Sequence, residues 1–328
     1  MSPDRSRGGA LLMVLWLSAA LSAIAFSVAV RVRSELDRAE AGQQGLRAYY
    51  LASGAAWRAL NYMKYGPGPV DPLGRPRWWD WRLTRLFFRF PEGEAIVEVI
   101  PESSRLNINY CSPQDLQRLL TVLGVEPERA RLITEAILHW RGTALSALDT
   151  LYLSSTPSFR APRASLGQIE ELMSVAGITP DLFYGGYSRT PEGAVVRRPG
   201  LRDCLSVFST GRGMDIRTVE PAVMVAVGVP PPAADAIARL RLQQPILDFQ
   251  AVAPMLGPAA SRFRLGGDNI YTLRATARLR LPDGRLGDAR RTVALTFQIN
   301  STVSREGFRV LAWQDSALPS PEIDQWQP

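Results

Sequence analysis

The sequence predicts an α+β fold: a long N-terminal transmembrane helix packed on an antiparallel sheet, with a large all-α domain inserted between the strands. Three observations carry this. Gly9 to Val30 holds no Asp, Glu, Lys, Arg or His. Two groups of segments, within 83–101 and 271–313, read as short strands bounded by turn residues. The stretch between them, 111–262, reads as helices separated by Gly- and Pro-containing turns.

The first 22 uncharged residues, Gly9 to Val30, reach about 33 Å as a helix rising ~1.5 Å per residue, enough to cross a bilayer core. A secretory signal has a shorter apolar region with a small-x-small cleavage site after it. Here the only such candidate, ALSAIA at 20–25, lies inside the run. Arg5 and Arg7 precede the run, which places the N-terminus in the cytoplasm and the body beyond the membrane. From Arg31 to Lys64 the helix continues with an amphipathic stripe of Leu46, Tyr49 or Tyr50, Ser53, Trp57, Leu60 and Met63. GPGPVDPLGRP, 66–76, ends it, because proline cannot continue a helix.

LTRLFFRF (83–90) and EAIVEVIP (94–101) flank Pro91-Glu92-Gly93 and read as a hairpin. In 271–281 the odd positions (Tyr271, Leu273, Ala275, Ala277, Leu279, Leu281) are apolar, and the even ones are Thr272, Arg274, Thr276, Arg278 and Arg280. That alternation predicts a strand with one buried and one wet face. PDGRLGD connects it to a second alternating strand at 292–299, and FRVLAW (308–313) is a further short one.

The helical stretch contains a weak internal repeat. Leu106, Ile108, Pro113, Gly124-Val125, Ala130 and Ile133 correspond to Met214, Ile216, Pro221, Gly228-Val229, Ala234 and Ile237, with four residues missing from the second copy. Each unit is an extended lead, a helix, a glycine turn and a second helix. The unit resembles the helix-hairpin-helix fold, which implies DNA binding as an alternative function: a membrane-anchored, competence-type receptor. Such hairpins present a second glycine whose N–H approaches a phosphate. Here that position is Glu126 in one copy and Pro230 in the other; Glu repels phosphate and Pro has no N–H.

Composition narrows the function further. The charge is +7, but the arginines are spread along the chain, and Lys64 is the only lysine. The single histidine, His139, sits in a helical pattern as a packed residue rather than a catalytic base. No phosphate loop, dinucleotide fingerprint, HExxH or GxSxG occurs. The chain is therefore read as no enzyme. Cys111 and Cys204 suit a disulfide if the body lies in an oxidising compartment, and two small buried thiols if they are unpaired. WWDW, 78–81, reads as loop packing or as a partner contact.

RGGALLMVL, at the junction of Arg7 and the apolar run, resembles the start of the K-type minor pseudopilins of the type II secretion system, the general secretion pathway protein K family. ESSRLNIN (102–109) resembles that family's lead into a helical, SAM-like insert. The resemblance implies a leader cut after Gly8 by a prepilin peptidase, a new and methylated N-terminus at Gly9, and an apolar helix retained in the mature chain. Ordinary pilins carry Glu at mature position five; here that position is Met13, as the K-type subunits lack it too. It further implies an inner-membrane, single-pass subunit of a Gram-negative bacterium, with a periplasmic body at the pseudopilus tip. The implied partners are the minor pseudopilins of the I, J and H types, with no nucleic acid. Calcium binds in some members. The carboxylates Glu102, Asp268, Asp283 and Asp288 show no EF-hand spacing. The expected domains are a leader (1–8), a transmembrane helix (9–30), a stalk helix (31–65), a pilin-like domain (66–110 and 263–315), an inserted helical domain (111–262) and an irregular tail (316–328).

Overall fold

The computed structural model describes residues 6–64, 83–142, 148–189, 193, 195–211, 213–299 and 307–319. The proline loop, WWDW and most of the tail lie outside the described residues. Helix α1 runs unbroken over Ser6–Lys64. β1 (Arg85–Phe90) and β2 (Gly93–Pro101) form the expected hairpin, with Phe90 opposite Gly93. Gly93 is needed here, because a Cβ would sit 2.2 Å from the Arg278 carbonyl oxygen of the next strand.

The insert follows: β3 (Leu106–Asn107), α2 (Pro113–Val122), α3 (Pro127–Arg141), α4 (Leu148–Ser154), α5 (Pro180–Tyr184), β4 (Gly186–Arg189), β5 (Val195–Arg198), α6 (Leu201–Cys204), β6 (Leu205–Ser206), β7 (Met214–Asp215), α7 (Pro221–Ala226), α8 (Pro231–Gln243), α9 (Ala253–Leu256) and β8 (Phe263–Arg264). The chain then returns through β9 (Ile270–Arg280), β10 (Leu286–Ile299) and β11 (Phe308–Gln314). The sheet is antiparallel, in the order β1-β2-β9-β10-β11. The insert therefore springs from between two neighbouring strands, with Pro101 opposite Tyr271 at its base.

Three expectations are corrected. The insert is not all-α: β4 and β5 pair as an antiparallel hairpin, and β3–β6 and β7–β8 are short parallel ladders. β10 begins at Leu286, inside the predicted connection. The even face of β9 is not wet, since Thr272 and Thr276 are buried and bond Thr296 and Thr292 of β10.

The stalk packs on β2, β9 and β10. Its buried face is Ala48, Leu51, Ala52, Ala55, Ala56, Ala59, Leu60 and Met63, an i, i+3, i+4, i+7 series. Only Leu60 and Met63 of the predicted stripe belong to it. Leu46, Tyr50 and Trp57 are 55, 66 and 41% exposed. Alanine wins the inner face because it lets the helix axis approach the sheet closely, against Ala275, Ala277, Val97 and Leu295.

The insert has its own apolar core, which begins at Leu106 and Ile108, residues expected in the sheet domain, and ends at Phe263. The repeat is real in geometry. Both leads form a two-residue parallel ladder, Leu106–Asn107 with Leu205–Ser206 and Met214–Asp215 with Phe263–Arg264. Both turns carry the same bonds: Val125 N–H to the Leu120 carbonyl and Val229 N–H to the Met224 carbonyl, each 3.0 Å. α2 packs against α7, joining the two hairpins, and α7 is the shorter helix of the pair.

Candidate functional site

The residues most open to another molecule lie along α1. From Leu11 to Val32 its large apolar side chains are all exposed, and this stretch is long and apolar enough to cross a membrane. Met13 is 77% exposed among them. The backbone is helical through Gly8 and Gly9, so the expected processing point falls in the first turns of this helix. Above that stretch, Leu46, Tyr50 and Trp57 continue the exposed apolar surface, Trp57 at the flank where β11 reaches the helix. Trp57 stacks on Trp313 of β11, with centroids 6.0 Å apart and planes 14° apart. Asp315 accepts hydrogen bonds from Tyr49 Oη (2.7 Å) and Trp313 Nε1 (2.6 Å), which hold its carboxyl below the ordinary range.

The hairpin turns settle what the insert offers to phosphate. Glu126 is the N-cap of α3, and its carboxylate accepts from the N–H groups of Glu128 (3.1 Å) and Arg129 (2.9 Å). It occupies the seat that an anion would take at a helix N-terminus. In the second hairpin, Pro230 is the N-cap of α8 and Pro231 and Pro232 follow it, so three donors are absent there.

The other predicted residues do not assemble into a site. Cys111 and Cys204 are both free and buried. Cys111 lies against the Ile108 carbonyl and Arg141, whereas Cys204 is enclosed in the α6 turn. Burial pushes both thiols above their ordinary range, which leaves them protonated and inert. His139 is buried, with Nε2 3.2 Å from Asp149 Oδ1 and its ring stacked on Tyr152; Arg163 holds the other Asp149 oxygen at 2.5 Å. This is a packed core histidine whose buried Nδ1 has no hydrogen-bond partner among the described residues. Among the described residues no group of three or more His, Cys, Asp or Glu could hold one. Glu102 bonds Arg105, Ser206 and Thr272; Asp268 pairs with Arg264, Asp283 with Arg285, and Asp288 stands exposed.

What the sequence reading missed is a buried charged cluster between sheet and insert. Arg274 of β9 bonds Glu98 of β2 bidentately, at 2.6 and 2.8 Å, with Asp203 and Glu220 from the insert nearby. Burial, and then Asp203, raise the Glu220 carboxyl above its ordinary range. The available signal was opposite charge at paired positions of neighbouring strands.

Residues 104–184 match the family model described as Type II secretion system (T2SS), protein K. The K-type resemblance is borne out. The chain is also 28% identical over 207 residues to the type II secretion system protein K of Pectobacterium carotovorum subsp. carotovorum, covering 55% of this chain and 61% of that one. It is 26% identical over 201 residues to the protein K of Klebsiella pneumoniae, covering 55% and 60%. The chain thus spans about three fifths of the length of the curated K-type relatives it matches. A chain in the crystal structure of the GspK-GspI-GspJ complex from enterotoxigenic Escherichia coli shares the fold, with a TM-score of 0.52 and 19% identity, covering 88% of this chain and all of the other. The K-type fold and the self-capped hairpin lend the DNA-receptor alternative no support.

Proposed function

We propose that this chain is a minor pseudopilin at the tip of a type II secretion pseudopilus, with a structural role in the export of folded proteins across the outer membrane. The observation that carries the reading is α1 itself. One continuous helix has an open apolar lower half and an upper half clasped by a five-stranded sheet, in a chain whose insert matches protein K. The lower half lies in the inner membrane with the body on the periplasmic side. The leader, residues 1–8, is removed by a prepilin peptidase, and Gly9 becomes the methylated N-terminus. Met13 at mature position five lacks the carboxylate that would pair with a neighbouring subunit's terminal ammonium, which suits a subunit with nothing above it. The SAM-like insert adds bulk at that end. The partners are the I-, J- and H-type minor pseudopilins, which pack along the open side of α1. The outer, apolar side above the membrane (Leu46, Tyr50, Trp57) supports such packing.

The test is intact-mass measurement of the chain purified from a host that carries prepilin peptidase. The expected mass lacks residues 1–8 and carries one methyl group. Cleavage near Ala25, or an uncut chain, overturns the reading.

A further inference from the structure

The apolar cores of the sheet and the insert do not merge. One holds α1 with β1, β2, β9 and β10; the other holds Leu106 through Phe263. A polar layer separates them. Its centre is Arg274, which rises from the sheet face opposite α1 and binds Glu98 on its own side. From the insert, Asp203 and Glu220 line the same cavity as Arg274 and Glu98. Asp203 is itself paired with Arg197 at 2.7 Å, and Glu220 also feels Arg241 and Arg197. Glu102, at the end of β2, takes bonds from Arg105 (2.9 Å), Thr272 (2.6 Å) and Ser206, so it ties β9 to β6. Ser104 bonds Thr218 at 2.5 Å, and Arg202 bonds Gln314 at the sheet's edge.

Open space lies on both sides of this layer. Cavities of about 620 and 680 Å³ flank it, and Ile100, Arg105, Asp203 and Arg274 line both. Apolar packing is short-ranged and is lost with a gap of under an ångström. A charged pair loses little attraction over the same distance, because its energy falls only as 1/r. A polar layer with room on each side therefore tolerates displacement that either core would resist.

We propose that the insert is mounted on the sheet through a charged joint, with Arg274 as the cation shared by Glu98, Asp203 and Glu220, and that it rocks on this joint as one body. The backbone crosses at only two places, after Pro101 and before Ile270. The joint is independent of the reading as a pseudopilin.

The test uses the full chain in detergent micelles, spin-labelled at Leu132→Cys on α3 and Asp288→Cys on β10. Both positions are exposed, and the two native cysteines are buried. Pulsed electron resonance reads the distance distribution. Arg274→Met should widen it about twofold, and the double substitution Asp203→Asn with Glu220→Gln should widen it in the same direction. Arg274→Lys, which keeps the charge without the fork, should fall between. Hydrogen exchange at Leu116–Leu120 and Val293–Phe297 should stay as in the wild type. An unchanged distribution in both Arg274→Met and the Asp203→Asn, Glu220→Gln variant overturns the proposal. So does a loosening of both cores together with the joint. Should Arg274→Met fail to fold, the Asp203→Asn, Glu220→Gln variant decides alone.

Discussion

The two sides of the stalk, residues 46–63 of α1, are built from different materials for different neighbours. The side facing the sheet is mostly alanine and buried; the open side carries Leu46 and Tyr50, with Trp57 at its border stacked on Trp313 of β11. The difference shows that burial on a sheet selects for close approach, whereas side-chain bulk on an exposed helix face is left for another molecule. A hydrophobic stripe in a sequence thus names a surface to be covered without saying which molecule covers it.

The sharpest way to break this contrast is to put bulk on the inner side. Ala56→Leu should destabilise the chain by about 1–3 kcal/mol, because a side chain with no free volume must push helix from sheet; urea unfolding of the micelle-bound chain reads it. Trp57→Ala, on the outer side, should cost about 1 kcal/mol, the loss of its stacking on Trp313. Under the proposed function it should nonetheless abolish co-purification with the other minor pseudopilins. A stability loss as large as that of Ala56→Leu would mean the outer side is core after all. Gly54 is exposed, with open space where a Cβ would stand. Gly54→Ala should therefore raise stability by about 0.5–1 kcal/mol through helix propensity alone. The smallest effect concerns Asp315. Its carboxyl is held below the ordinary value of 3.8 by Tyr49 and Trp313, so the stabilisation is present above that value and is lost as pH falls through the lowered one. Wild type should melt above Tyr49→Phe at pH 7, and the two melting curves should converge in acid.

Much of the sheet was legible in the sequence. The odd positions of β9 and of 293–299 in β10 are apolar because one face meets α1, and alternation reports one buried face well. It reports a second buried face badly when that face is polar, which is why Thr272 and Thr276 passed for solvent-facing residues. The β4–β5 hairpin was missed because its strands are four residues each and alternate weakly. In the candidate site, Glu126 was read correctly as hostile to phosphate. Its further role, capping α3 with its own carboxylate, depends on a side-chain rotamer that spacing does not encode. The charged joint was hidden because Glu98 and Arg274 lie 176 positions apart.

That separation bears on the order in which the molecule is assembled. β2 and β9 are direct neighbours, but an unstructured chain must close a very long loop to bring them together, and the entropy of doing so delays the pairing. A folded insert removes most of that loop, since its lead and its return leave one apolar core side by side at Pro101 and Tyr271. The insert is thus the clip that closes the middle of the sheet. Pulse-labelled refolding should protect Leu116–Leu120 and Val223–Met224 before Leu273–Ala277, with the stalk docking last.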